Sequence, residues 1–144
     1  MYIESRAPTR IDLAGGTLDI WPLYLFHQPA ITVNVAIRLE AVCRITPRRD
    51  RRIVLISYDT SRRQVYNSIQ ELRTSDRHRL TLPALLVKAF APRTGFVLET
   101  DSQAPAGAGL GGSSALNIAI CGALNRFTRK NLPPAKLIEV ALHG

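Results

Sequence analysis

Residues 104–116 read Ala-Pro-Ala-Gly-Ala-Gly-Leu-Gly-Gly-Ser-Ser-Ala-Leu, and an apolar, helix-forming run follows them to about Phe127. Glycines 107, 109, 111 and 112 run directly into the hydroxyls of Ser113 and Ser114. Glycine tolerates positive φ and lets the backbone approach a ligand closely. The leading N–H groups of a helix have no partner inside it, and the helix dipole adds partial positive charge there. A glycine-rich turn feeding a helix start is therefore a phosphate cradle. A plain turn with a serine N-cap is the simpler alternative.

Two familiar phosphate loops are excluded. Gly107, Gly109 and Gly112 fit G-x-G-x-x-G, but Gln103-Ala104-Pro105 interrupts the approach. The dinucleotide motif also needs an acid about 20 residues on, where Leu132-Pro133-Pro134 stands. Gly107 and Gly112 have P-loop spacing, but Ser113 takes the lysine position, so the γ-phosphate would lose its point charge. What remains is a loop acting through backbone amides and a serine hydroxyl.

The stretch from Pro105 to Ala115 resembles the ATP-binding signature of the GHMP kinases, which include galactokinase, homoserine kinase, mevalonate kinase and phosphomevalonate kinase. Its Gly-Gly-Ser-Ser spelling is most similar to the fucokinase and heptose-7-phosphate kinase branch. A second stretch, Arg6-Ala-Pro-Thr-Arg10-Ile-Asp-Leu-Ala-Gly-Gly16-Thr-Leu-Asp19, resembles the substrate motif of the same family. Gly16-Thr17-Leu18 replaces the Glu-His-Thr of galactokinases, which argues against galactose.

The resemblance implies an α+β domain like the second domain of ribosomal protein S5, with a mixed or antiparallel sheet and helices on one side. It implies ATP-dependent phosphoryl transfer to a sugar or sugar-phosphate hydroxyl, with ATP and Mg²⁺ as cofactors. The ATP-binding residues would be Pro105, Gly107, Gly109, Leu110, Gly111, Gly112, Ser113 and Ser114. Ser113 is in register with the metal-binding serine, and Ser114 is left to cap the helix. Arg10 would stabilise the moving phosphoryl group; Asp19, with Thr17 and Gly16, would bind the acceptor.

Family members also carry a magnesium-binding glutamate, a base-like aspartate and a second domain downstream. Residues 1–144 are expected to be one truncated N-terminal domain, inactive alone. An apolar face left by the missing half would favour a homodimer. A non-catalytic nucleotide- or small-molecule-binding relative, or an RNA-binding module of the same fold, is the alternative.

Composition agrees with a domain of this kind. The 144 residues are 46% hydrophobic and 21% charged, enough for one domain with a core. Net charge is +8, and sixteen of the nineteen basic residues are arginine, which suits anionic partners without choosing among them. No run approaches a membrane span, and the N-terminus lacks the apolar core of a signal peptide. A cytoplasmic location without membrane partners is expected. Cys43 and Cys121 lie in apolar segments and read as core residues.

Elsewhere, residues 2–6 read as a short strand. Trp21–His27 reads as a core segment, with a sugar-pocket wall as the alternative. Strict alternation from Ile31 to Ile45 predicts a half-buried strand, too long not to break near Arg38–Glu40. Strands follow at Ile53–Tyr58, near Arg63–Tyr66 and at Phe96–Thr100, with helices at Leu82–Phe90 and from Ala135. Residues 67–80 read as irregular. Arg48, Arg49, Arg51, Arg52, Arg62 and Arg63 form one basic cluster around a hairpin. Without interleaved aromatics it lacks a base-stacking surface, so nucleic acid is not expected as a partner.

Overall fold

Strand β2 (Val33–Pro47) and strand β5 (Phe96–Ser102) make the middle of the sheet in this computed structural model, which describes residues 1–16 and 22–143. Alternation explains both strands. Ala41, Cys43 and Ile45 of β2, with Phe96 and Leu98 of β5, point inward and are fully buried, while Arg44 points outward. Strands β1 (Ile3–Ala14), β3 (Ile53–Ser57) and β4 (Arg62–Tyr66) complete one five-stranded sheet, ordered β1-β2-β5-β3-β4. The β3–β5 pairing is parallel and the other three are antiparallel, so the sheet is mixed.

Helices α3 (Thr81–Phe90) and α4 (Gly112–Thr128) cover the inward face. Leu86, Val87 and Phe90 of α3 share one core with Ala119, Ile120, Ala123 and Leu124 of α4. Phe96 meets Phe127 edge-on, with ring centroids 5.2 Å apart. Helix α5 (Pro134–His143) follows a sharp turn. The side chain of Asn125 closes that turn by donating to Leu132 O (3.1 Å) and accepting from Leu132 N (2.9 Å). Among the described residues, no helix is long and apolar enough to cross a membrane.

The break expected in β2 is present. Pro8 pairs with Glu40 but Thr9 pairs with Ile37, so Arg38 and Leu39 bulge out. Proline has no N–H for the ladder and suits such a site. Buried Thr9 donates its hydroxyl to Leu39 O at 2.8 Å and so satisfies the bulge.

Several expectations need correction. Strand β1 does not stop near residue 6 but runs to Ala14, which puts Arg10 on a strand. Ile31, Val33 and Val35 are 65%, 49% and 46% exposed rather than half-buried. Helix α4 begins beside Arg10, so it does not extend over the outer ends of β1 and β2. Tyr24, Leu25 and Phe26, on the one-turn helix α1 (Leu23–Phe26), are also exposed and are not core.

The arginines do not form one cluster. Arg51 and Arg52 precede Ile53, whereas Arg62 pairs with Ser57 at the far end of β3. Residues 67–80 contain helix α2 (Ile69–Thr74), started by a capping box. Ser68 Oγ accepts from Glu71 N (3.2 Å), and the Glu71 carboxylate accepts from Asn67 N (2.7 Å).

His78, between α2 and α3, bonds Tyr66 Oη through Nδ1 at 2.6 Å. Its Nε2 is buried with no partner among the described residues. Burial pushes its pKa down, nearby Lys88 adds to this, and Asp76 opposes it. The folded state thus binds a proton less readily than the unfolded chain. The contribution of neutral His78 is present above the ordinary value of about 6.5 and is lost as pH falls below it. Urea midpoints measured from pH 7.5 to 5 are expected to decline, and His78→Phe should flatten that decline. An unchanged slope in the variant would show that His78 is not the titrating group.

Candidate phosphate-binding site

Strand β5 delivers the chain to the glycine loop, and the root of the loop is tied to β2. Gln103 N donates to Glu40 O at 3.1 Å, and Gln103 Oε1 accepts from Glu40 N at 2.8 Å. Beyond it the backbone takes positive φ at Gly107 (78°), Gly109 (70°) and Gly111 (67°). A Cβ at Gly107 or Gly109 would meet nothing within 4 Å, so the backbone angle rather than crowding calls for glycine there.

Gly111 is the N-cap of α4, and its carbonyl accepts from Ala115 N at 2.9 Å. Among the described residues no side chain caps this end. The expectation that Ser114 caps the helix is therefore corrected: both serines lie inside its first turn with exposed side chains. The leading amides of α4 are left to whatever enters the cleft, at the positive end of a seventeen-residue helix. The packed core behind Ala115 and Ala119 holds that end still.

Arg10 is joined to this loop. Its backbone N–H donates to Leu110 O at 3.0 Å, linking β1 to the residue before the cap. Its guanidinium lies over Gly111, where a Cβ would come within 3.3 Å of Nη1. Arg10 Nε also pairs with Asp12 Oδ1 at 3.0 Å. Gly16 packs on the same carboxylate, since a Cβ there would lie 3.1 Å from Asp12 Oδ2. Arg10 thus joins the glycine loop to Asp12, and Asp12 in turn packs on Gly16; sequence reasoning missed Asp12. Thr17 and Asp19 lie outside the described residues.

A cleft of about 500 Å³ opens over the loop, with Ser102, Gly109, Ser113 and Leu116 in its lining. Asp59 and Thr60, in the β3–β4 turn, form its far wall. Parallel pairing brings them there, with Tyr58 N donating to Thr100 O at 2.9 Å. Nothing local in Asp59-Thr-Ser61 signals that position. A smaller groove of about 200 Å³ lies between β1 and α4 and shares Gly111 and Ser114 with the cleft.

Among the described residues, no group of three or more His, Cys, Asp and Glu side chains could hold a metal ion by itself. Cys43 and Cys121 are buried and free. Burial pushes the Cys121 thiol up to about 11 and Cys43 higher still, so neither supplies a thiolate. Among the described residues the chemistry available is that of oriented amides, hydroxyls, the Arg10 guanidinium and the Asp12 and Asp59 carboxylates.

A mixed sheet whose central strand feeds a glycine loop and a buried helix defines an α+β domain that turns helix amides toward a cleft. Residues 79–144 match the family model for the GHMP kinases N terminal domain. It is 33% identical over 134 residues to a D-glycero-alpha-D-manno-heptose 7-phosphate kinase of Campylobacter jejuni, covering 91% of this chain and 39% of that one. It is 31% identical over 152 residues to an L-fucokinase/L-fucose-1-P guanylyltransferase of Bacteroides fragilis, covering 87% and 16% respectively. The crystal structure of a D-glycero-D-manno-heptose 1-phosphate kinase from Bacteroides thetaiotaomicron superposes with a TM-score of 0.86 at 26% identity. That match covers 99% of this chain and 47% of the other. The chain therefore spans less than half the length of each of these relatives.

Proposed function

We propose that this domain holds ATP for transfer of its γ-phosphoryl group to a hydroxyl of a sugar or sugar phosphate. The observation that carries the reading is the uncapped start of α4, facing the cleft with Arg10 over its N-cap. The residues suit a triphosphate: glycines keep side chains away from the amides, and no carboxylate caps the helix. ATP would supply the phosphoryl group, and a bound Mg²⁺ would offset phosphate charge.

The amides of residues 107–114 hold the β- and γ-phosphates, with Pro105 and Leu110 shaping the loop. The exposed Ser113 hydroxyl takes the cation. Arg10 stabilises charge on the moving group, and such positioning and charge stabilisation account for most of the catalysis in this chemistry. Gly16, with Thr17 and Asp19, receives the acceptor. The named activities of the relatives, on heptose phosphates and fucose, support an acceptor of the sugar class.

Isothermal titration of the 144-residue chain with MgATP tests the reading. Saturable binding at one site, weakened by Arg10→Ala, is expected; no binding at millimolar nucleotide would overturn it. The chain alone is expected to turn over ATP with a sugar barely or not at all. A coupled ADP-release assay that found steady turnover would overturn that second statement.

A further inference from the structure

We infer that Asp12 is a positioning residue, one that fixes the Arg10 guanidinium for the terminal phosphate of the nucleotide. The inference rests on the phosphate-site reading above.

Arg10 and Asp12 are two apart on β1 and so project from the same face of the strand. The Asp12 carboxylate accepts from Nε at 3.0 Å. That contact occupies the one guanidinium N–H nearest the backbone, and the Nη groups make no hydrogen bond among the described residues. Nη1 is the atom that lies over Gly111 at the head of α4. The guanidinium is thus held from its rear by Asp12 and presents its front to Gly111 at the head of α4, along the smaller groove between β1 and α4.

Arg10 has no other carboxylate partner within 4.0 Å among the described residues. Both side chains are partly exposed, at 41% for Arg10 and 30% for Asp12. An ion pair so wet contributes little to stability, so folding alone does not account for an acid paired with the arginine beside the head of α4. An acid there repels phosphate unless it does something else for binding. Gly16 gives the second observation, because its missing side chain makes room for Asp12 Oδ2. The carboxylate is thereby enclosed between the arginine and the turn of the acceptor motif.

The sign of one substitution separates positioning from plain electrostatics. If Asp12 acted only through its charge, Asp12→Ala would tighten binding of any phosphate ligand. If it orders Arg10, the variant loses affinity for ATP selectively, because ADP lacks the phosphate that Arg10 addresses. Fixing one rotamer-rich side chain corresponds to roughly a three- to tenfold effect.

The test titrates MgATP and MgADP into the wild-type chain, Asp12→Ala and Asp12→Asn. Asp12→Ala is expected to lower ATP affinity about tenfold and ADP affinity less than twofold. Asp12→Asn keeps an oxygen for Nε and should recover most of the difference. Tighter ATP binding, or equal loss for both nucleotides, would overturn the inference. Wild-type chain that binds neither nucleotide would instead remove the phosphate-site reading itself.

A readout without nucleotide stands beside this one. The Arg10 Nε–H proton should exchange with water more slowly in wild type and Asp12→Asn than in Asp12→Ala. Equal exchange in all three, in folded protein, would show that Asp12 does not hold the arginine.

Discussion

Ser113→Asp is expected to leave the domain as stable as before, or slightly more so, while ATP affinity falls by about a hundredfold or more. Ser113 is the second residue of α4, and its side chain is exposed. A carboxylate in the first turn interacts favourably with the helix dipole, by about 0.3–1 kcal/mol. The same carboxylate faces the place assigned to the phosphates. Each unit of like charge about 4 Å away costs from about 1 kcal/mol in water-like surroundings to about 4 kcal/mol near a protein surface. Two phosphates together cost about 2–8 kcal/mol, a range that reaches well past the roughly 2.7 kcal/mol of a hundredfold change. Thermal melts and isothermal titration on one preparation read both quantities. Parallel loss of stability and binding would mean misfolding, and unchanged binding would mean that the phosphates lie elsewhere.

Phe96→Ala should be the most damaging single truncation in the core, lowering the free energy of unfolding by about 3–5 kcal/mol. Phe96 is fully buried at the start of β5, edge-on to Phe127 near the end of α4. It is also paired in register with Ile53 of β3 and Pro47 of β2. A cavity there loosens the join between the central strand and the helix it feeds. Since a domain of this kind holds about 5–15 kcal/mol in total, the variant should unfold at much lower urea, and a midpoint within error of wild type would refute this. Phe96→Leu, which keeps most of the volume, should be far milder.

What could be read from the sequence was what local chemistry dictates. The glycine loop, the apolar helix behind it and the alternation of β2 and β5 need only neighbouring residues to declare themselves. The turn after α4 announces itself through Leu132-Pro-Pro134 in the same way. Periodicity, however, tells which face a residue shares and not whether anything covers that face. Ile31, Val33 and Val35 alternate correctly and are exposed, because α4 does not extend over them.

The short helix α2 carried a readable signal in Ser68-x-x-Glu71, but its polar surroundings masked it. Arg10 could be linked to the loop only through resemblance, since a hundred residues separate it from Leu110. Asp12 needed the knowledge that β1 continues past residue 6. Asp59 and Thr60 could not be placed from sequence at all, because only the parallel pairing of β3 with β5 carries their turn to the cleft.

The strand order has a consequence for how the polypeptide reaches this state during synthesis. Four of the five strands lie before residue 67, yet they form two antiparallel ribbons, β1–β2 and β3–β4, that do not touch each other along an edge. Only β5, about thirty residues later, slots between them. At about 5–20 residues per second on the ribosome, the inner edges of β2 and β3 wait a few seconds for their shared neighbour. A nascent chain cut before Phe96 holds two open-edged ribbons, the arrangement most prone to pairing with other chains. The loop proposed to grip phosphate is thus appended to the strand that closes the sheet, and no cradle can exist before the scaffold is joined.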